Sequence, residues 1–218
     1  MASPLRLGVL LSGGGRTLEN ILREIDGGRL AGLAQVAVVI ASRPGIRGIE
    51  IGEAAGAGVH VVRRRDYEKV DAYSEAMARL LDEARVDLAC LAGFLSYWIV
   101  PERYAGRVMN IHPALLPSFG GKGMYGHHVH EAVLARGCKV SGCTVHFVTN
   151  EYDAGPIVLQ RPVPAYAEDT PERLAARVFT EEREAYPEAI RLYAEGRLRI
   201  ADGVVYIDDS TYQRPEEA

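Results

Sequence analysis

Asn110-Ile111-His112-Pro113 is the stretch with the clearest capacity for chemistry. On an extended backbone, residues two apart face the same way, so an amide and a titratable base stand side by side. Pro113 restricts His112 to an extended conformation and ends the regular strand. Strand tips of this kind are where open α/β sheets place their ligands. An isolated Asn-x-His is more often a satisfied histidine at a strand end, so its partners decide the matter.

Two carboxylates are candidates. Asp153 sits in the sharply shaped loop Thr149-Asn150-Glu151-Tyr152-Asp153-Ala154-Gly155-Pro156. Alone it reads as a turn residue. Reaching a histidine at a neighbouring strand tip, it would raise that imidazole's pKa and fix its orientation. Glu182 falls on the buried stripe of the last long helix, with Leu174, Val178, Ala185, Ala189 and Tyr193, flanked by Phe179 and Arg183. A carboxylate on an inward face needs a partner, either an internal base or a polar ligand.

The turn Ser12-Gly13-Gly14-Gly15-Arg16-Thr17 follows an apolar run and precedes a helical pattern. It offers bare amides at a helix N-terminus, a ready anion site, with Gly14, Gly15, Arg16 and Thr17 as the phosphate candidates. The dinucleotide fingerprint is incomplete. Leu18 replaces the third glycine, and the second strand ends in Ala41-Ser42-Arg43 without an acid for a ribose; Arg43 leaves NADP open. The lysine of an ATP-type loop and the glycine of a hydrolase elbow are both missing. A single phosphate on a small substrate fits best. His127, His128 and His130 lack a spaced acid or cysteine to complete a zinc set; they are expected to face the surface or a loop. His146 fits either core or site.

The positioning elements read as alternating strands and helices. Strands are expected at Leu5–Leu11, Val36–Ile40, Val59–Val62, Leu88–Ala92, Val108–Ile111, Gly142–Val148 and Ile157–Val163. The β-branched run in the second suggests cover on both faces. Helices are expected after Thr17, at Gly48–Ala57, around Val70–Ala84, from His127 to about Ala135, and from Thr170-Pro171, an N-cap followed by a first-turn proline. Arg63-Arg64-Arg65 reads as a solvated loop. Four glycines between Ser118 and Gly126 imply a mobile or tightly shaped loop. A hairpin, Leu198–Ile200 with Val204–Ile207, precedes a polar tail. The pattern predicts an α/β fold with a mostly parallel twisted sheet flanked by helices and a small C-terminal hairpin. One domain over 1–208 and a tail over 209–218 are expected.

Composition narrows the class. Apolar residues at 48 % allow a core, and a net charge of −4 argues against a nucleic-acid binder. No apolar run approaches the ~20 residues of a membrane span. Cys90, Cys138 and Cys143 are too few and irregular for a disulfide framework. A reduced, cytoplasmic state is expected, as monomer or homodimer.

Several segments together resemble the 10-formyltetrahydrofolate-dependent formyltransferase family. They are Asn110-x-His112-Pro113 with Leu115-Leu116-Pro117, Gly142-Cys143-Thr144-Val145-His146-Phe147-Val148, and Asp153-Ala154-Gly155-Pro156-Ile157. Ser12 to Gly15, Leu91-Ala92-Gly93-Phe94 and Ala176-Arg177-Val178…Glu182…Tyr186-Pro187 also fit, so the likeness runs from about Leu5 to Ile200. It implies a Rossmann-like fold, 10-formyltetrahydrofolate as co-substrate, no metal, and the amine of glycinamide ribonucleotide as acceptor in purine synthesis. It implies Asn110, His112 and Asp153 as the catalytic set. Asn110 and protonated His112 would stabilise an oxyanion, with Asp153 raising the His112 pKa. Glu182 would hold the glycinamide or ribose end and Gly15 to Thr17 the phosphate. The pterin would lie against Leu95, Ser96, Tyr97 and Trp98 and the loop Val148, Thr149, Asn150, Glu151 and Asp153. Three positions depart from the family pattern. Ser96 and Val70 stand where members carry arginines, and Phe179 where some carry a glutamine.

Rival readings are weighed by the same resemblance. Methionyl-tRNA formyltransferase would need a further domain of roughly 100 residues. A formyltetrahydrofolate hydrolase normally carries a regulatory domain ahead of the first strand, which here begins at Leu5. An NADP-binding oxidoreductase or a non-catalytic nucleotide-binding module accounts for the glycine turn but not for Asn110, His112 and Asp153 together.

Overall fold

The computed structural model describes residues 3–208; the polar tail expected over 209–218 lies outside them. Seven strands form one sheet: β1 Leu5–Leu11, β2 Ala34–Ala41, β3 Gly58–Val61, β4 Leu88–Leu91, β5 Val108–His112, β6 Val140–Phe147 and β7 Ile157–Pro164. Their order is β3-β2-β1-β4-β5-β6-β7. The first five run parallel, β6 runs antiparallel to β5, and β7 antiparallel to β6. The order reverses between β1 and β4, so the crevice beyond the ends of β1 and β4 is the ligand position expected of such a sheet. A separate hairpin, β8 Leu198–Ala201 with β9 Val204–Ile207, follows the last helix.

Among the described residues, five helices cover the sheet: α1 Arg16–Gly27, α2 Arg47–Ala54, α3 Val70–Glu83, α4 His127–Ala135 and α5 Pro171–Ala194. The apolar stripes bury as their period requires: Leu18 and Ile21 on α1, Tyr73, Met77 and Leu81 on α3, and Leu174, Val178, Ala185 and Ala189 on α5. Thr170 caps α5 by accepting the Arg173 amide at 3.3 Å. Arg64–Asp66 closes into a short turn held by the Arg63–Asp66 ion pair, so the arginine run is a braced loop.

Two features fix the parts that reach the crevice. Ser12 ties three strand tips together. Its Oγ lies 2.7 Å from Ser42 Oγ and accepts the Leu95 amide at 2.9 Å, while its carbonyl accepts Arg43 Nε at 2.9 Å. Gly15, at φ 75°, starts α1 against α2, where a Cβ would stand 2.8 Å from Gly48 Cα. Only glycine permits both the left-handed turn and that approach.

Helix α5 is set by its proline. Pro187 has no N–H for the Arg183 carbonyl four residues back, which leaves a buried acceptor without its helical donor. Asn20 of α1, itself buried, supplies the missing donor through Nδ2 at 2.9 Å. One residue before the proline, the Tyr186 hydroxyl sits 2.9 Å from the Met109 carbonyl and 3.1 Å from that of Leu91. The helix is thereby pinned under the ends of β4 and β5. Asn20→Ala is expected to lower unfolding free energy by ~1–3 kcal/mol, the cost of an orphaned buried acceptor. In a Pro187→Ala background, where the helix can reclaim that carbonyl, the same change is expected to cost clearly less. Urea denaturation of the two single variants and the double variant measures the difference.

Candidate active site

A cavity of about 340 Å³ opens at the reversal point, lined by Arg16 and Thr17, Phe94 and Leu95, Asn110 and His112, Tyr152 and Asp153, and Phe179 and Glu182. A side cleft of about 100 Å³ shares Asn110, Phe94, Tyr152 and Asp153 with it and continues past Ser96, Tyr97, Trp98, Val148, Thr149 and Glu151.

Strand β5 carries the base and the amide. Asn110 and His112, two apart, both face the cavity. His112 is 3 % exposed, so its proton arrangement follows from its neighbours. Its Nε2 lies 2.8 Å from the Phe119 carbonyl. A carbonyl can only accept, so Nε2 holds the proton and Nδ1 is the titrating nitrogen. Nδ1 looks toward Asp153 Oδ2 at 3.6 Å. Phe119 holds φ 55°, an uncommon conformation for a bulky residue, and so the glycine-rich loop is tightly shaped around this contact. The same loop donates the Gly121 amide to Asp153 Oδ2 at 2.9 Å.

Asp153 reaches the site across the β6–β7 loop at φ 53°, a left-handed conformation that Asp tolerates better than most residues. Gly155 permits the close loop, since a Cβ there would run into the Phe147 carbonyl. Asp153 Oδ1 faces a second imidazole, His146 Nε2, at 3.6 Å. His146 Nδ1 lies 2.9 Å from the Phe147 carbonyl, which assigns the proton to Nδ1 and leaves Nε2 to accept from Asn110 Nδ2 at 3.1 Å. One hydrogen of that amide is thereby held on His146, and the other remains for the cavity. The sequence left His146 open between core and site; the antiparallel register that pairs it with Asn110 places it in the site.

The pKa directions correct one expectation. Burial pushes His112 down; the Asp153 charge and the Phe119 carbonyl pull it up and His146 lowers it again, for a net fall below its ordinary value. Desolvation outweighs the carboxylate, which favours the neutral imidazole in the empty site. Burial pushes Asp153 up, but the two imidazoles beside it and the Gly121 amide that donates to it outweigh that and hold the carboxyl below the usual range. Glu182 is raised to about 7 by burial, with Arg16 pulling it partly back.

Other expected residues divide. Arg16 and Thr17 line the cavity, whereas Gly14 and Gly15 form the turn beside it; no atom lies within 4 Å of a Cβ placed on Gly14, which leaves its backbone open. Leu95 lines the main cavity, and not the side cleft that takes Ser96 to Trp98. Asn150 does not face either space. Its side chain accepts the Val100 amide at 2.8 Å and so anchors the loop from behind. Arg43, kept open for NADP, is engaged on the Ser12 carbonyl. His127 and His128 are exposed, but His130, expected at the surface, is 4 % exposed and lines the cavity. Burial, then His127 and His112, push it down to about 4. Its i+3 spacing from His127 was visible, but the packing of α4 against α5 was not. Among the described residues, no group of three His, Cys, Asp or Glu is placed to hold a metal ion, and no helix is long and apolar enough to cross a membrane.

Fold and cavity define the class: an open α/β protein with an acid–base cluster at its reversal point. The formyl transferase family model matches residues 5–190. The solved glycinamide ribonucleotide transformylase 1 of Symbiobacterium toebii is 41 % identical at a TM-score of 0.87, with 96 % of each chain covered. Phosphoribosylglycinamide formyltransferase of Escherichia coli K12 is 34 % identical over 203 residues, 92 % of each chain. The trifunctional purine biosynthetic protein adenosine-3 of Gallus gallus is 36 % identical over 200 residues, 91 % of this chain and 19 % of that protein. The chain thus spans about a fifth of that relative's length. It belongs to the formyl transferase family.

Acid stability should report the Asp153–His112 coupling. A histidine depressed by burial contributes stability above its unfolded pKa of about 6.5, lost as pH falls through the folded value. Asp153→Asn removes the charge that holds His112 up, so His112 falls further and more stability is lost on acidification. The stability gap between wild type and Asp153→Asn is expected to widen as pH drops from 7 toward 5, by urea denaturation at each pH. A constant gap would mean the two groups are uncoupled.

Proposed function

We propose that this protein transfers the formyl group of 10-formyltetrahydrofolate to the amine of glycinamide ribonucleotide, giving formylglycinamide ribonucleotide and tetrahydrofolate in purine synthesis. The observation that carries the reading is the convergence of Asn110, His112 and Asp153 on one cavity that also holds Arg16 and Glu182 and opens into an aromatic side cleft. The resemblance to solved and curated glycinamide ribonucleotide formyltransferases supports the choice of acceptor.

The acceptor phosphate lies at the start of α1, where the first amides have no helical partner, with Arg16 and Thr17 beside it. Glu182, four residues before the pinned Tyr186, holds the ribose or glycinamide end. The flat pterin enters the cleft between Trp98, Val148 and Tyr152. Tyr97 and Tyr152, with ring centroids 5.2 Å apart, wall its mouth.

The amine attacks the formyl carbon, forming the C–N bond and leaving charge on the formyl oxygen. The second Nδ2 hydrogen of Asn110 donates to that oxyanion. Neutral His112 takes the amine proton on Nδ1, which is bare because Nε2–H is held by Phe119. The imidazolium then lies beside Asp153, where its charge is compensated. Collapse of the tetrahedral intermediate breaks the bond to folate N10, and His112 returns the proton to that nitrogen. A His112 that began protonated could not accept the amine proton, so activity is expected to fall on the acid side as His112 charges.

His112→Ala and Asp153→Ala are each expected to cut turnover by ~100- to 10,000-fold while leaving the fold intact. An absorbance assay of folate product, run with and without glycinamide ribonucleotide, measures it. Product formed equally well without the amine acceptor would replace transfer by hydrolysis. NADP raising the melting temperature where a folate analogue with substrate did not would favour an oxidoreductase.

A further inference from the structure

Arg16 is the one arginine or lysine among the residues lining the main cavity. Its guanidinium lies over the Phe179 ring, Cζ 3.6 Å from the centroid. Among the described residues it makes no hydrogen bond or ion pair, so its N–H donors are free. Its neighbours differ. Arg23 is engaged by Asn20 and Glu24, and Arg183 leans on Asn20.

A carboxylate stands close by. Glu182, three residues on from Phe179 along α5, lines the same cavity and feels the Arg16 charge. An arginine free to move would be drawn toward it. Stacking on Phe179 holds the guanidinium plane instead, leaving its edge, the part that matches a phosphate in two-point fashion, directed away from the ring. The stack also removes much of the rotamer freedom that an exposed arginine would lose on binding. Phenylalanine offers a phosphate no hydrogen bond of its own, unlike the glutamine the resemblance places there in some members, so any part that position 179 plays in anion recognition passes through Arg16.

We propose that Phe179 is a positioning residue: its ring holds Arg16 as a preformed phosphate clamp, kept off Glu182, and the pair sets selectivity for a phosphorylated over an unphosphorylated acceptor. This deepens the proposed function and rests on its phosphate-bearing acceptor, but the clamp itself is testable by binding alone.

The test is calorimetric titration of the full chain with ribose 5-phosphate and with ribose. Wild type is expected to bind the phosphate ester and not the free sugar. Arg16→Ala weakens binding at least about tenfold, and Phe179→Leu about three- to fivefold, on the scale of a cation–π contact at an exposed arginine. Phe179→Tyr, which keeps the ring, binds as wild type does. Phe179→Leu added to Arg16→Ala changes nothing further, because the ring acts through the guanidinium. In turnover, Phe179→Leu raises KM for glycinamide ribonucleotide and leaves kcat and the folate KM unchanged. Phe179→Met and Arg16→Lys serve if a first variant fails to fold; both are expected to weaken binding. Full binding by Arg16→Ala, additive effects in the double variant, or no phosphate preference in wild type would overturn the clamp. Formyl transfer absent while the binding pattern holds would instead overturn the proposed function and leave the clamp standing.

Discussion

A carboxylate held between two buried imidazoles imposes a charge balance on everything around it. Asp153 lies 3.6 Å from His112 Nδ1 and 3.6 Å from His146 Nε2. Each imidazole has its proton fixed on the far nitrogen by a backbone carbonyl, Phe119 for one and Phe147 for the other. With those protons turned outward, Nδ1 of His112 and Nε2 of His146 face the carboxylate. His112 and His146 are buried, so the Asp153 charge is incompletely screened on their side. Accepting a proton on His112 creates an ion pair where there had been a lone carboxylate. In the proposed transfer, His112 receives a proton and holds it only until the leaving nitrogen takes it.

The fold supplies this arrangement from distant segments. Strand β5 gives Asn110 and His112 by its period of two, and the antiparallel β6 brings His146 opposite Asn110. The loop before β7 returns Asp153 to the same point, and the glycine-rich segment closes over both through a carbonyl and an amide. On the other side of the cavity, α5 is pinned by Tyr186 and by the Asn20 contact that Pro187 makes necessary. That pin sets the height of Glu182 and, one turn earlier, of Phe179. The two walls meet at Arg16, the first residue of α1.

Much of this was legible in the sequence, for reasons that can be stated. Alternation and helical period act locally, so the strand carrying Asn110 and His112, the glycine turn before Arg16, and the buried stripe containing Glu182 could be read directly. The resemblance to a family then joined segments that no local rule connects. What stayed hidden was decided by contacts across the sheet and by burial. His146 needed the β5–β6 register. His130 needed the packing of α4. Asn150 turned its amide to the strand tip behind it instead of to the cleft. The upward pull of Asp153 on His112 is visible in the sequence, whereas the desolvation that outweighs it exists only once the chain is folded.

Nitrogen-15 NMR of histidine-labelled, unliganded protein at pH 7.5 tests the central claim most directly, with the His112→Asn variant assigning the signals. The imidazole of His112 is expected to show a protonated Nε2 and a bare Nδ1. A proton on Nδ1 with Nε2 bare, or a doubly protonated ring, would contradict the account.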